Sequence, residues 1–313
     1  MARNSLSGKL VAVIGGSGFI GRHLAQELLA RGARLRVISR NVERANTVKP
    51  LGNLGQVQLL RGDVRKGGDL AALLAGADAV VNLAGTFAGD LDAVMGSGAG
   101  AVAQAAHSAG ARAMVHVSAI GADAGGETAY ARAKATGEGA VLAAFPAATV
   151  LRPSVLFGPD DTFINRFAGL IARFPVMPVF APQAELQPVY VDDVALAIAN
   201  ALADPDTHGG KTYEIAGPQR VTMAGLNRMI AKAAHRSPRF LDLPDSVSGL
   251  FVALTGWLPG APITGQQWKL LKAGNAASGN LPGLKELGVE ARPLGLFLDR
   301  WMVRFRRHGR FGD

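Results

Sequence analysis

The 313-residue sequence predicts an α/β fold, a doubly wound parallel sheet. Three observations lead there. Short, nearly continuous apolar runs recur through the first half of the chain, as in strands covered on both faces. Helix-length amphipathic or Ala-rich segments separate several of them, the alternation of a parallel sheet. A glycine-rich turn, GGSGFIG at 15–21, joins the first apolar run to the first helical segment.

The strands follow in order: LVAVI (10–14), RLRVI (34–38), VQLL (57–60), AVVNL (79–83), AMVHV (113–117) and ATVLR (148–152). The segment GSGAGAVAQAAHSAGARA (96–113) reads as a helix only if it packs closely on the sheet, because each glycine costs a helix up to ~1 kcal/mol against alanine. After residue 155 proline and glycine punctuate shorter elements at 175–182, 187–202 and 211–217. The expected organisation is a dinucleotide-binding domain over 1–155 and a smaller C-terminal lobe over 156–313 with returns to the sheet.

Composition narrows the function classes. The chain is 49% hydrophobic and 18% charged, enough for a large core and against long disordered stretches. It has no cysteine, which excludes disulfides, thiolate metal sites and thiol nucleophiles. Its six histidines are scattered without ligand spacing, so no metal is expected. A formal charge of +9 points to acidic partners. No nucleic-acid module with aromatics among basic residues is present, and nucleic acid is not expected. MARNSLSGKLVAV carries no apolar signal region before the first strand, so no signal peptide is expected.

Gly15, Gly18 and Gly21 form G-x-x-G-x-x-G after a strand and at the start of a helix. That context is the dinucleotide fingerprint. Glycine lets the backbone approach a pyrophosphate, and the helix N-terminus at Phe19, Ile20 and Gly21 offers N–H groups. The Rossmann-type reading follows. The second strand ends VISRN, with Ser39 and Arg40 where NAD-specific proteins place an acid. An acid repels a 2′-phosphate, whereas Arg40 can bind one, so NADP(H) is preferred with NAD(H) as the alternative. RGDV (61–64) puts Asp63 and Val64 near the adenine, and NLAG (82–85) brings Leu83, Ala84 and Gly85 close to the cofactor.

The motifs GGSGFIGRHL, RGDV, NLAG, YARAK, LRPSVLFGP and PVYVDDVA occur in the order of the extended and atypical short-chain dehydrogenase/reductase superfamily. HVSAIGAD followed by YARAKATGE, LRPSVLFGPDDTFINRFAGL (151–170) and LPGLKELGVEARPL (281–294) narrow the resemblance. They are similar to the NAD(P)H-binding accessory subunit of respiratory complex I and its bacterial relatives. The resemblance implies a tightly held nucleotide in the peripheral arm, near its junction with the membrane arm, with no established turnover.

In working enzymes of the superfamily a Tyr moves a proton at the substrate oxygen, and a Lys four residues on holds the nicotinamide ribose. Tyr130 and Lys134 match that pair. Ser118 is the candidate third member, with a strand-end hydroxyl bonded to backbone as its alternative role. The chain passing Pro153 and Val155 is expected beside the nicotinamide. Asp192 and Asp193 are expected to cap the following helix.

Residues 246–268 contain no charged side chain, yet prolines and glycines keep the apolar core below the ~20 residues that span a bilayer. In the tail, Phe297, Leu298, Trp301, Met302 and Phe305 fall on one helical face, with Arg300, Arg304 and Arg307 on the other. That pattern suits an anionic membrane surface or a partner groove, with docking on its own lobe as the bland alternative. The leading expectation is an NADP(H)-binding accessory subunit of complex I. It would sit peripherally on the cytoplasmic face of the inner membrane, contacting complex I subunits near the arm junction and anionic lipid through the C-terminal lobe. The alternative is an active NADP-dependent reductase, dehydrogenase or epimerase.

Overall fold

Residues 6–255 and 264–309 are described by a computed structural model. Six strands appear where the apolar runs lie: β1 (Leu10–Ile14), β2 (Arg34–Ser39), β3 (Val57–Arg61), β4 (Ala79–Asn82), β5 (Ala113–Val117) and β6 (Thr149–Pro153). A seventh, Thr212–Ile215, joins β6 at the sheet edge. The order is Thr212–Ile215, β6, β5, β4, β1, β2, β3, and every pairing is parallel. The chain runs outward from β1 to β3, then restarts at β4 on the other side of β1. This reversal opens a crevice at the strands' carboxyl ends, the usual ligand position in such sheets. Gly15, Ser39, Leu83 and Ser118 all lie at that edge.

The chain forms two compact units. The first comprises 1–153, 191–215 and 278–290, and holds the seven-stranded sheet. Helix α1 (Phe19–Ala30) buries Leu24, Ala25 and Leu28. The Gly/Ala-rich segment is helical over Ser97–Ser108, and its close packing is with the helix Ala129–Ala144 as well as the core. A Cβ on Gly100 would lie 2.9 Å from Ala140 Cβ, and one on Gly137 would lie 1.8 Å from Met95 O. The glycines therefore cost intrinsic helicity but permit a backbone approach that fixes the Tyr130 helix.

Asp192 and Asp193 differ from expectation. The helix Val191–Ala203 begins before them, so both lie inside its first turn rather than at the cap. Asp192 Oδ1 meets His23 Nδ1 at 2.5 Å and ties this helix to α1, while Asp193 is buried.

The second unit comprises 154–190, 216–277 and 291–313. Three two-stranded pieces support it, including Val176–Val179 with Arg239–Asp242. The tail is helical over Gly295–Trp301 and then 3-10 over Met302–Phe305. Its apolar side is spent inside its own unit: Leu298 and Met302 are buried, and Phe297 stacks on Tyr190 with centroids 4.2 Å apart. Arg292 lies 4.5 Å over the Tyr190 ring. Arg304 donates to Pro159 O, and Arg306 donates to Ala233 O. The tail is thus a docked element whose exposed side is basic, not a free amphipathic helix. Of the uncharged stretch, residues 256–263 lie outside the described residues. The helix Asp245–Thr255 precedes them, and among the described residues no helix is long and apolar enough to cross a membrane.

Two glycines of one helix give a paired test. Gly137→Ala should destabilise by about 1–3 kcal/mol through overpacking against Met95 O. Gly139 has nothing within 4 Å of its notional Cβ, so Gly139→Ala should be neutral or stabilising by up to ~1 kcal/mol. Thermal unfolding of both variants checks the opposite signs.

Candidate functional site

The glycines of the turn are set by close backbone contacts. Gly15 has φ +75°, and its notional Cβ would stand 3.1 Å from the Leu83 carbonyl, so a left-handed, side-chain-free residue is required. Its N–H donates to Ile38 O at 2.9 Å. Gly21 lies so close to Gly16 that a Cβ would sit 2.3 Å from the Gly16 carbonyl oxygen. Gly18 is the N-cap of α1 and supplies no side-chain cap, and the first turn carries no acid. The positive end of α1, with Phe19 and Ile20 half-buried beside it, is therefore arranged for an anion.

Ser17 Oγ and Ser39 Oγ lie 2.8 Å apart and join this turn to the end of β2. Ser39 Oγ also donates to Asn41 O, so its hydroxyl is largely committed to the protein. Arg40 is exposed, makes no ion pair among the described residues, and contributes positive potential at Asp63. Asp63 itself is gripped by Arg65, with Nη2 to Oδ2 at 2.5 Å and Nε to Oδ1 at 3.0 Å. That guanidinium holds the Asp63 carboxyl down at about 2. Val64 is buried next to it.

On the other side of β1, Asn82 organises the Leu83–Ala84–Gly85 turn. Its Oδ1 accepts from Ala84 N at 3.0 Å, which leaves its Nδ2 to donate to His116 Nδ1 at 3.2 Å. His116 must then carry its proton on Nε2, and that buried atom has no partner. Burial, with Lys134 second, pushes the imidazole down to about 3, so it is neutral.

The helix Ala129–Ala144 starts with a Thr128 cap, whose hydroxyl accepts from Ala131 N at 3.1 Å. Tyr130, Lys134 and Glu138 follow at intervals of one turn. Lys134 is buried and its Nζ donates to Val117 O at 3.0 Å, beside Ser118. A Cβ on Gly85 would stand 3.9 Å from that Nζ, so the β4 turn and Lys134 face one another. Burial pulls Lys134 down to about 8, against the favourable field of Glu138. Glu138 in turn binds Arg152 on β6, Oε2 to Nη2 at 2.6 Å, and anchors the helix to the sheet. Tyr130 is pushed up to about 12 by burial. Ser118 Oγ is buried and without a partner, so its assigned alternative, a bond to backbone, is not made by the side chain. Its N–H donates to Leu151 O at 2.7 Å.

Pro153 is buried at the end of β6 and accepts from Ile120 N at 3.0 Å. Val155 belongs to the second unit, where its N–H donates to Asn275 Oδ1 at 2.5 Å. The first unit thus gathers the remaining predicted residues along one sheet edge. Three residues were missed: Asn82, His116 and Phe87, whose ring lies stacked on Tyr130. Asn82 heads the NLAG motif and could have been found there, whereas a lone Phe in a loop gives no signal. No group of three metal-ligating side chains exists among the described residues.

A glycine cradle at a helix N-terminus, a Tyr–Lys pair one turn apart and a buried orphan hydroxyl make up a site of the nicotinamide-nucleotide-binding type. The chain belongs to the NAD dependent epimerase/dehydratase family, whose model matches residues 11–216. It is 33% identical to subunit 9 of the NADH dehydrogenase [ubiquinone] 1 alpha subcomplex of Mus musculus, a mitochondrial protein, over 94% of this chain and 80% of that one. It is also 33% identical to ceramide reductase of Caulobacter vibrioides, over 75% of this chain and 74% of that one. The fold matches that of the NADPH-dependent quinone oxidoreductase of Escherichia coli, solved with NADPH, at TM-score 0.74 and 18% identity, covering 93% and 99% of the two chains.

Lys134 supplies a pH test. Its folded pKa lies below its ordinary value of 10.5. Between about pH 8 and 10.5 the unfolded chain therefore binds a proton that the folded chain does not, and this group makes stability rise with pH. Denaturant unfolding from pH 7.5 to 9.5 should give a positive slope that flattens in Lys134→Met.

Proposed function

We propose that this chain is an NADP(H)-holding accessory subunit of respiratory complex I, with the nucleotide in a structural or sensing role and little turnover. The observation that carries this reading is the 33% identity extending over 94% of the chain to a complex I subunit, while the glycine cradle stays intact. In this reading the N–H groups at Phe19, Ile20 and Gly21 receive the pyrophosphate, and Arg40 receives the 2′-phosphate. Asp63 and Val64 border the adenine, and Leu83, Ala84 and Gly85 line the cofactor by backbone. Lys134 holds the nicotinamide ribose, and Pro153 passes the nicotinamide. The bound nucleotide would supply or accept hydride, while Ser118 and Tyr130 would hold a ligand oxygen. Arg65 already neutralises Asp63, which removes the repulsion an exposed carboxylate would exert on a phosphate near Arg40.

In this reading the protein sits peripherally on the cytoplasmic face of the inner membrane, against complex I subunits near the arm junction. The helix Asp245–Thr255 supports a contact with partner or lipid: Leu250 is 64% exposed, and Val247 and Leu254 are exposed at helical spacing beside it. The second reading is an active reductase. It is favoured by the equal identity to ceramide reductase and by retention of Ser118, Tyr130 and Lys134.

Nucleotide extracted from the purified protein should be mainly NADP(H). Arg40→Glu should lower NADPH affinity about tenfold or more, since a charge-assisted contact is worth ~1.5–3 kcal/mol. Extraction of NAD(H) alone, with Arg40→Glu neutral, overturns the cofactor assignment. Affinity purification from detergent-solubilised membranes should recover complex I subunits. Recovery as a free protein with Tyr130-dependent NADPH oxidation selects the second reading.

A further inference from the structure

The middle of the sheet holds two polar side chains of a kind that burial disfavours. Asn82 ends β4, His116 is its register partner on β5, and both are fully buried. Burying such groups costs free energy unless their hydrogen bonds are made. Ala84 N donates to Asn82 Oδ1 at 3.0 Å. A main-chain N–H always donates, so the oxygen of the Asn82 amide must face Ala84 and its NH2 must face His116. That NH2 needs an acceptor, and His116 Nδ1 stands 3.2 Å away. The other ring nitrogen, Nε2, is buried without a partner, and an orphaned N–H costs stability. A histidine is thus a poor choice for the core as such. What the ring supplies is one acceptor at Nδ1.

The turn under this control touches both sides of the ligand cradle. A Cβ on Gly15 would lie 3.1 Å from the Leu83 carbonyl and 3.3 Å from Ala84 N. A Cβ on Gly85 would lie 3.9 Å from Lys134 Nζ. We propose that His116 is a positioning residue for the Leu83–Gly85 turn: by accepting from Asn82 it fixes the amide that holds Ala84, and so sets the spacing between the glycine cradle and Lys134. Without that acceptor the Asn82 amide is free to rotate. A half-turn sets its NH2 against Ala84 N–H, donor against donor, and the turn loses this anchor. His116 touches no ligand in this role and acts through Asn82 alone. The consequence for a ligand rests on the nucleotide reading above, whereas the consequence for the turn does not.

The test first reads the turn with no ligand added. In the wild type, ¹⁵N spectra should show His116 neutral and protonated at Nε2 at about pH 7. In His116→Leu the Ala84 amide should exchange with solvent about tenfold faster. The Leu83 amide, bound to Ile14 O at 2.9 Å within the sheet, should keep its wild-type rate. His116→Asn, whose side-chain oxygen offers an acceptor near the Nδ1 position, should return Ala84 towards the wild-type rate. NADPH affinity should follow the same order and fall about five- to tenfold in His116→Leu. A proton on Nδ1 in the wild type, an unchanged Ala84 rate in His116→Leu, or equal acceleration at Leu83 overturns the proposal. So does an NADPH affinity that ignores a loosened turn. Failure of the wild type to bind NADPH counts instead against the proposed function, and the exchange rates then decide this proposal alone.

Discussion

The missing Cβ at Gly137 is the constraint on which the site depends. It lets the Tyr130 helix approach Met95 O to a distance no other residue allows, and it sets where Tyr130, Lys134 and Glu138 point. The same economy operates at Gly15, against Leu83 and Ala84. In both places main chain rests on main chain, so the geometry does not depend on side-chain rotamers. Rigid backbone of this kind suits a site that must hold a ligand in one pose.

Around that frame the polar groups are matched in a defined sequence. Asn82 faces both Ala84 N and His116, which fixes the tautomer of a histidine in the middle of the sheet. Lys134 is bonded to Val117 O and electrostatically supported by Glu138, which is itself held by Arg152. A lysine so placed pays for desolvation in its own basicity, and the Glu138–Arg152 pair is what keeps that loss moderate. Ser118 Oγ, like His116 Nε2, is buried with no partner. An orphan hydroxyl next along the chain from the carbonyl that Lys134 binds is a group that a ligand could satisfy.

Much of this was legible in the amino-acid order. Apolar runs of four or five residues revealed the strands, because a parallel sheet buries both faces. The glycine turn revealed its role because strand and helix flank it. Contacts remote in sequence were not legible. Asp192 resembles a helix cap by position, yet it serves His23 across 169 residues. The tail carries the periodicity of a surface-seeking helix, yet Tyr190 offers its apolar face a partner within the same unit. Periodicity reports that a face must be covered, not by what. Phe87 is invisible for a related reason: a stack between a loop residue and a helix leaves no local pattern.

The segmentation of the two units has a consequence for biosynthesis. The first unit borrows 278–290, where Leu284, Leu287 and Val289 are buried, Leu287 O accepts from Asn200, and Ser278 donates to the edge-strand residue Glu214 through both N and Oγ. The second unit in turn needs Arg292, Phe297 and Trp301 to cover Tyr190. Either unit therefore completes its core only after residues far along the chain, 278–290 for the first and residues beyond 291 for the second, have been synthesised. The N-terminal strands can pair early in translation, but the edge strand Thr212–Ile215 gains the Pro282 carbonyl that accepts from Glu214 N only once 278–290 have emerged.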